Sequence, residues 1–283
     1  MGDGLRVGLK LSGQGTTADE LRAVWQVADA AGFDHCWNFD HFASLGGDPE
    51  LDVFEAWTML GAMAEATARV RIGCMVTGNT YRHPAVLAKM AVTVDHLSGG
   101  RLEFGLGAAW AELEHTMLDL EYGTAGQRIA RLEEACRMVK LLWSEERSAF
   151  DGRHYRLVEA IANPKPVQKP HPPIWIGGSG ERKTLRVVAE HADVWNAAGG
   201  DPAEVARLSD ILDRHCADVG RDPAEIRRSV QIRFDGDAEG TLRAVQSYAA
   251  VGVEDMIVIV MGGSAQEHAE AVADLLPRLR ELG

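Results

Sequence analysis

Asp40 and His41 are the adjacent side chains best suited to acid–base work in this sequence. An imidazole titrates near neutral pH, and a carboxylate beside it can fix its tautomer or its ring position. Neighbours on a strand point to opposite faces, so both reach one site only where a strand has ended. A histidine with a purely structural role is the competing reading. A second feature is the run Gly177-Gly178-Ser179-Gly180, followed by Arg182, Lys183 and Arg186. Free backbone N–H groups at the start of a helix make a seat for an anion, best a phosphate. The alternative is a tight turn whose glycines only permit packing. A third is Gly105-Leu106-Gly107-Ala108-Ala109-Trp110, which has tryptophan where a dinucleotide fingerprint carries its third glycine. Those glycines would let a flat ring lie against the backbone, or would merely relieve crowding. Cys74 reads either as a nucleophile or as a buried neutral thiol. His83 precedes a proline, and His96, His115 and His191 lie on predicted helices; all four read as structural.

These groups sit at the ends of short apolar runs that alternate with helical patterns. The runs are Arg6–Leu11, His35–Asp40, Arg71–Thr77, Arg101–Gly107, Ile174–Gly177, Asp193–Ala197, Arg228–Arg233 and Asp255–Met261. Predicted helices between them include Asp19–Ala31, stopped by Gly32, and one opening at Pro84, a favoured first helical residue. Another predicted helix spans Glu181–His191, and the last spans about Ala265–Leu282. Strands separated by helices pair in parallel through right-handed crossovers. Eight strand–helix units in 283 residues predict a (β/α)8 TIM barrel, with a doubly wound open sheet as the competitor. The rhythm breaks between about residues 145 and 173, where a hairpin around Asp151-Gly152 and a Pro- and Lys-rich stretch read as an insertion before strand five. The expectation is a single domain over residues 1–283. In such a barrel the strand ends named above converge on one pocket at the C-terminal face.

Composition narrows the classes further. The net charge of −13 disfavours a nucleic-acid binder, although it does not exclude a local anion site. No run of about 18 apolar residues could span a membrane. The stretch Met1–Arg6 lacks the basic and apolar regions of a signal peptide. Cys36, Cys74, Cys136 and Cys216 never form C-x-x-C, so neither a zinc ribbon nor a redox pair is supported. A cytoplasmic protein acting on a small molecule is the resulting expectation.

Taken together and in order, Asp40-His41-Phe42, Arg71–Trp110 and Pro173–Asn196 resemble the luciferase-like monooxygenase superfamily. Within it they are most similar to coenzyme F420-dependent oxidoreductases. The resemblance covers roughly residues 5–200, and the remainder follows by strand–helix rhythm. It implies a deazaflavin or flavin in the pocket, and a non-proline cis peptide in strand three, placed by alignment at Cys74-Met75, that supports the ring from behind. It implies that Gly178, Ser179 and Gly180, with Gly177 beside them, hold the cofactor phosphate. Thr77 and Asn79 would bond the ring edge, with Gly107, Ala108 and Trp110 along its side. Asp40 and His41 would orient the substrate or move its proton. Some family dehydrogenases carry a glutamate proton donor after the fourth-strand glycines; Trp110 stands there in this chain, and Glu112 and Glu114 follow without occupying that place. The acid is therefore unassigned, and the sugar-phosphate-binding lysines and arginines find no counterparts. The implied activity is hydride transfer between F420 and a small organic substrate, in a homodimer. An FMN-dependent monooxygenase using reduced flavin and oxygen is the alternative, followed by a non-catalytic flavin-binding protein.

Overall fold

The computed structural model describes residues 4–261 and 265–283; the first three residues of the N-terminal stretch read above lie outside them. Parallel strands β1 (Arg6–Leu11), β2 (His35–Asn38), β3 (Arg71–Cys74), β4 (Thr77–Gly78) and β5 (Leu102–Gly107) come first. After a small antiparallel hairpin, β6 (Ser148–Asp151) and β7 (Arg156–Ala160), come β8 (Ile174–Gly177), β9 (Val194–Ala197), β10 (Arg227–Arg233) and β11 (Asp255–Val260). The sheet runs β3-β2-β1-β11-β10-β9-β8-β5-β4 and closes through β3–β5 pairing. Since β3 and β4 are two halves of one stave, the result is the expected eight-stave (β/α)8 barrel.

The interrupted stave corrects the expectation of one continuous strand over Arg71–Thr77. The chain leaves the ladder after Cys74 and rejoins it at Thr77, with a cis peptide at Met75–Val76. That bond lies one residue beyond the position the alignment gave. The bulge also decides the role of the β5 glycines. A Cβ on Gly105 would stand 1.9 Å from the Cys74 carbonyl oxygen, and one on Gly107 would stand 2.7 Å from a Val76 methyl. Side chains at these two places would collide with the bulge, so the glycines answer a close backbone approach.

Helices α1 (Ala18–Ala31), α2 (Ala56–Ala66), α3 (Pro84–Leu97), a short α4 (Glu112–Met117), α5 (Ala125–Ser144), α6 (Thr184–His191), α7 (Pro202–Val219), α8 (Ala238–Ala249) and α9 (Ala265–Arg280) follow their strands. Thr17 and Glu20 form a reciprocal capping box at the start of α1, and Gly32 ends it with a φ of 82°. Helix α6 begins at Thr184, three residues later than predicted, because Glu181–Lys183 form turns first. Outward-facing Val7, Leu9 and Leu11 of β1 join the helices in the outer core.

The barrel interior is layered differently. Trp37, Met75, Trp175, Val194 and Ile257 plug its middle. At the N-terminal end Asp255 is shared by His35 at 3.1 Å, Arg6 at 3.1 Å and Arg227 at 2.8 Å. Glu103 accepts from Arg71 and from the Trp175 indole N–H. Buried charge here is thus paired, as burial demands. The cavity above this plug is lined from the strands' C-terminal ends.

Candidate active site

Above the tryptophan plug lies a cavity of about 380 Å3, within the range of small-molecule sites. Its wall is built from Lys10 of β1, Phe39, Asp40 and His41 after β2, and Met75, Val76 and Thr77 at the bulge. Gly107–Trp110 after β5, Gly177 and Gly178 after β8, and Asn196 and Gln231 from β9 and β10 complete it. Four predicted strand ends therefore share one pocket.

His41 is buried and held by Glu114, its Nδ1 lying 2.8 Å from the Glu114 Oε2. Phe39, Tyr81 and Trp110 rings surround it, the last edge-on at 5.6 Å between centroids. Glu114 also accepts from the Tyr81 hydroxyl and from the amides of Phe42 and Ala43. Burial works to raise the Glu114 pKa, but the bonds from His41, Tyr81 and the Phe42 amide outweigh it and hold the carboxyl down at about 2. Burial and the same bond push the Tyr81 phenol up, so it stays a donor. With an ionised acceptor on Glu114, the hydrogen between them belongs to His41 Nδ1, leaving Nε2 to exchange a proton.

Asp40 has different company. Its carboxylate takes both Arg82 guanidinium N–H groups at 2.6 and 3.0 Å, and Arg82 also bonds Glu55. Burial, only partly opposed by Arg82, raises the Asp40 pKa. The expectation that Asp40 fixes the ring of its neighbour is thus corrected: Glu114 does so. Tyr81 and Arg82 escaped the sequence reading, although they directly follow the strand-three end, and Glu114, set aside there as a proton donor, was not recognised as the partner of His41.

The remaining candidates divide. Met75, Thr77, Gly107, Ala108, Trp110, Gly177 and Gly178 line the cavity. Thr77 Oγ1 accepts from the Trp57 indole at 3.0 Å. Cys74 turns its side chain into the outer core, where burial pushes its thiol up, and only its carbonyl faces Gly105. A neutral thiol is the outcome, not a nucleophile. Asn79 points away from the cavity, its amide donating to the Arg128 carbonyl at 3.2 Å. His115 is tied to Ala111 O and Thr80 Oγ1, both at 2.7 Å, and is not among the residues that line the cavity.

Ser179 and Gly180 stand exposed on the rim beside Gly178, whose φ is 130°. Arg186 is taken up by Glu190 at 2.6 Å, so of the three basic residues only Arg182 and Lys183 lack an ion pair among the described residues. Lys10 was read merely as part of a strand. Its ammonium donates to Gln231 Oε1 at 2.7 Å, Gln231 donates to Asn196 Oδ1 at 2.8 Å, and Asn196 donates to Ser229 Oγ at 3.0 Å. Burial pulls the Lys10 pKa down to about 8.

The residues fit a planar ring. No side chain beyond methyl projects from Gly107–Ala109 or Gly177–Gly178, and the Met75–Val76 bulge forms a wall between them. Among the described residues no helix is long and apolar enough to cross a membrane.

A family profile described as luciferase-like monooxygenase matches residues 5–235. An F420-dependent glucose-6-phosphate dehydrogenase of Microbacterium testaceum is 30% identical over 257 residues, 88% of this chain and 74% of that protein. An FMNH(2)-dependent dimethylsulfone monooxygenase of Pseudomonas putida is 29% identical over 196 residues, 68% of this chain and 52% of that protein. A solved F420-dependent secondary alcohol dehydrogenase, in complex with an F420–acetone adduct, superposes with a TM-score of 0.89 at 18% identity. The match covers 98% of this chain and 99% of the other.

Proposed function

Since the chain belongs to the luciferase-like monooxygenase family, we propose that it is an oxidoreductase using the deazaflavin coenzyme F420 on a small organic substrate. The observation that carries this reading is the Glu114-held His41 beside a slot free of side chains. When bound, the deazaflavin supplies the hydride chemistry. The protein supplies position, exclusion of water and a proton.

The Met75–Val76 bulge would back the ring, with Thr77 at its edge and Gly107–Trp110 alongside. Gly177–Gly180 would seat the phosphate on backbone amides, helped by Arg182 and Lys183. His41, aimed by Glu114, exchanges a proton with the substrate oxygen through Nε2. Asp40, neutralised by Arg82, shapes the wall next to it and fixes the loop that carries His41.

A flavin-dependent reading is favoured by the dimethylsulfone monooxygenase relative. The two readings differ in chemistry, because a deazaflavin has carbon in place of the flavin N5, and its reduced form gives up a hydride without activating oxygen. Anaerobic loss or gain of deazaflavin absorbance with a panel of alcohols and carbonyl compounds is the expected activity. Oxygen uptake with reduced FMN, in place of that change, would sink the proposal.

A further inference from the structure

Lys10 and Arg233 are cations at the barrel mouth that no carboxylate of the described residues holds. Both stand in register with Ile259 of β11, Lys10 on β1 and Arg233 on β10. Residues in register on parallel strands share a face, so the three form one row. That row faces inward, because Leu9, Ile232 and Val258 belong to the outer core while Lys10 and Gln231 line the cavity. The Lys10 ammonium reaches across β11 to Gln231 on β10 and donates only that one hydrogen bond, although it has three donors. Arg233 is exposed and makes no hydrogen bond or ion pair among the described residues.

The groups around this pair leave its charge standing. On the β2 end, Asp40 is held by Arg82 and His41 by Glu114. On β3, Cys74 is a neutral thiol. On β9 and β10, Asn196, Ser229 and Gln231 are uncharged. At the opposite end of β11, Asp255 is committed to His35, Arg6 and Arg227. Beyond β10, Asp235 accepts from the Asp237 amide and Asp237 faces Arg243. A half-buried ammonium without a counter-ion is costly, and an anion entering the cavity would remove that cost.

The cofactor phosphate does not account for Lys10. Strand β1 lies four steps around the barrel from β8 in either direction, while Arg233 on β10 lies two steps from β8, and the glycine loop follows β8. We propose that Lys10 and Arg233 bind an anionic group of the substrate, a carboxylate or a phosphate, and that the substrate is a charged alcohol or carbonyl compound whose reacting carbon faces His41. The proposal rests on the cofactor assignment above, which leaves the β1–β10 side of the pocket to the substrate.

The test uses the full chain with acetate, inorganic phosphate and, as a neutral control, acetamide. Lysines are labelled by reductive 13C-methylation, and the Lys10 signal is identified by its loss in Lys10→Met. One of the two anions is expected to raise the Lys10 titration midpoint, since a nearby anion favours the charged form. Which anion does so distinguishes carboxylate from phosphate. Arg233→Gln, on an exposed residue whose loss spares the fold, is expected to weaken that anion about tenfold. No shift with either anion, or an equal shift with acetamide, overturns the proposal. Competition between the effective anion and deazaflavin, read by cofactor fluorescence in the same samples, also overturns it by giving the cations to the cofactor. Absence of deazaflavin binding with the anion effect intact defeats the cofactor assignment alone.

Discussion

The Nδ1–H of His41 donates to the Glu114 carboxylate across 2.8 Å, although the two residues are 73 positions apart in the chain. His41 follows β2, and Glu114 lies on α4 after β5, so the barrel must close before the pair exists. The bond fixes which ring nitrogen faces the cavity, and Tyr81 and two backbone amides keep the carboxylate in place. A proton-moving imidazole thus has a dedicated orienting partner.

Removing that partner should separate catalysis from binding. Glu114→Gln and His41→Ala are expected to lower turnover by about 100-fold or more while deazaflavin affinity stays within a factor of a few. Steady-state kinetics with a cofactor titration checks this. Unchanged turnover in His41→Ala would remove the imidazole from the mechanism.

Glu114 also links stability to pH. Its folded pKa, about 2, lies below the ordinary value of 4.5, so its contribution is fully present above about pH 4.5 and is lost as pH falls toward 2. Urea unfolding of the parent and of Glu114→Gln across this window should show the parent losing stability more steeply. Parallel curves would contradict the assignment.

Asp40 and Arg82 form a buried pair whose members cannot be lost singly. Asp40→Ala leaves the guanidinium with only Glu55 and is expected to cost about 3–5 kcal/mol in chemical denaturation. Asp40→Asn keeps the volume and should cost less.

The two β5 glycines should differ in what they damage. A methyl at Gly105 meets a backbone carbonyl that cannot move away, so Gly105→Ala is expected to destabilise by about 1–3 kcal/mol or prevent folding. At Gly107 the obstacle is a Val76 methyl, which can shift into the cavity; Gly107→Ala should fold and instead weaken cofactor binding. Thermal melts and fluorescence titration read the two effects.

Arg182 and Lys183 serve the rim. Charge removal at either is expected to raise the deazaflavin KM several-fold at low salt with little change in kcat, and the difference should shrink as salt rises.

Much of the fold was legible because each strand–helix unit announces itself locally, through apolar runs, capping residues and terminal glycines such as Gly32. The strand-end positions of His41, Thr77, Gly107 and Gly178 followed from that rhythm. Partnerships across the barrel were not legible, since Glu114 with His41 and Arg82 with Asp40 depend on the paths of loops. Lys10 hid inside an apolar strand, although its alternation with outward Leu9 and Leu11 marks it as an inward charge. Asn79 looked like a ring ligand because it follows a strand end, yet the bulge at Met75–Val76 shifts the register and turns it toward α5.

A titration of the protein with deazaflavin and FMN side by side decides the cofactor. Saturable quenching or shift of deazaflavin fluorescence is expected at a Kd at least about tenfold below that for FMN. Tighter binding of FMN, or no deazaflavin binding at all, would contradict it.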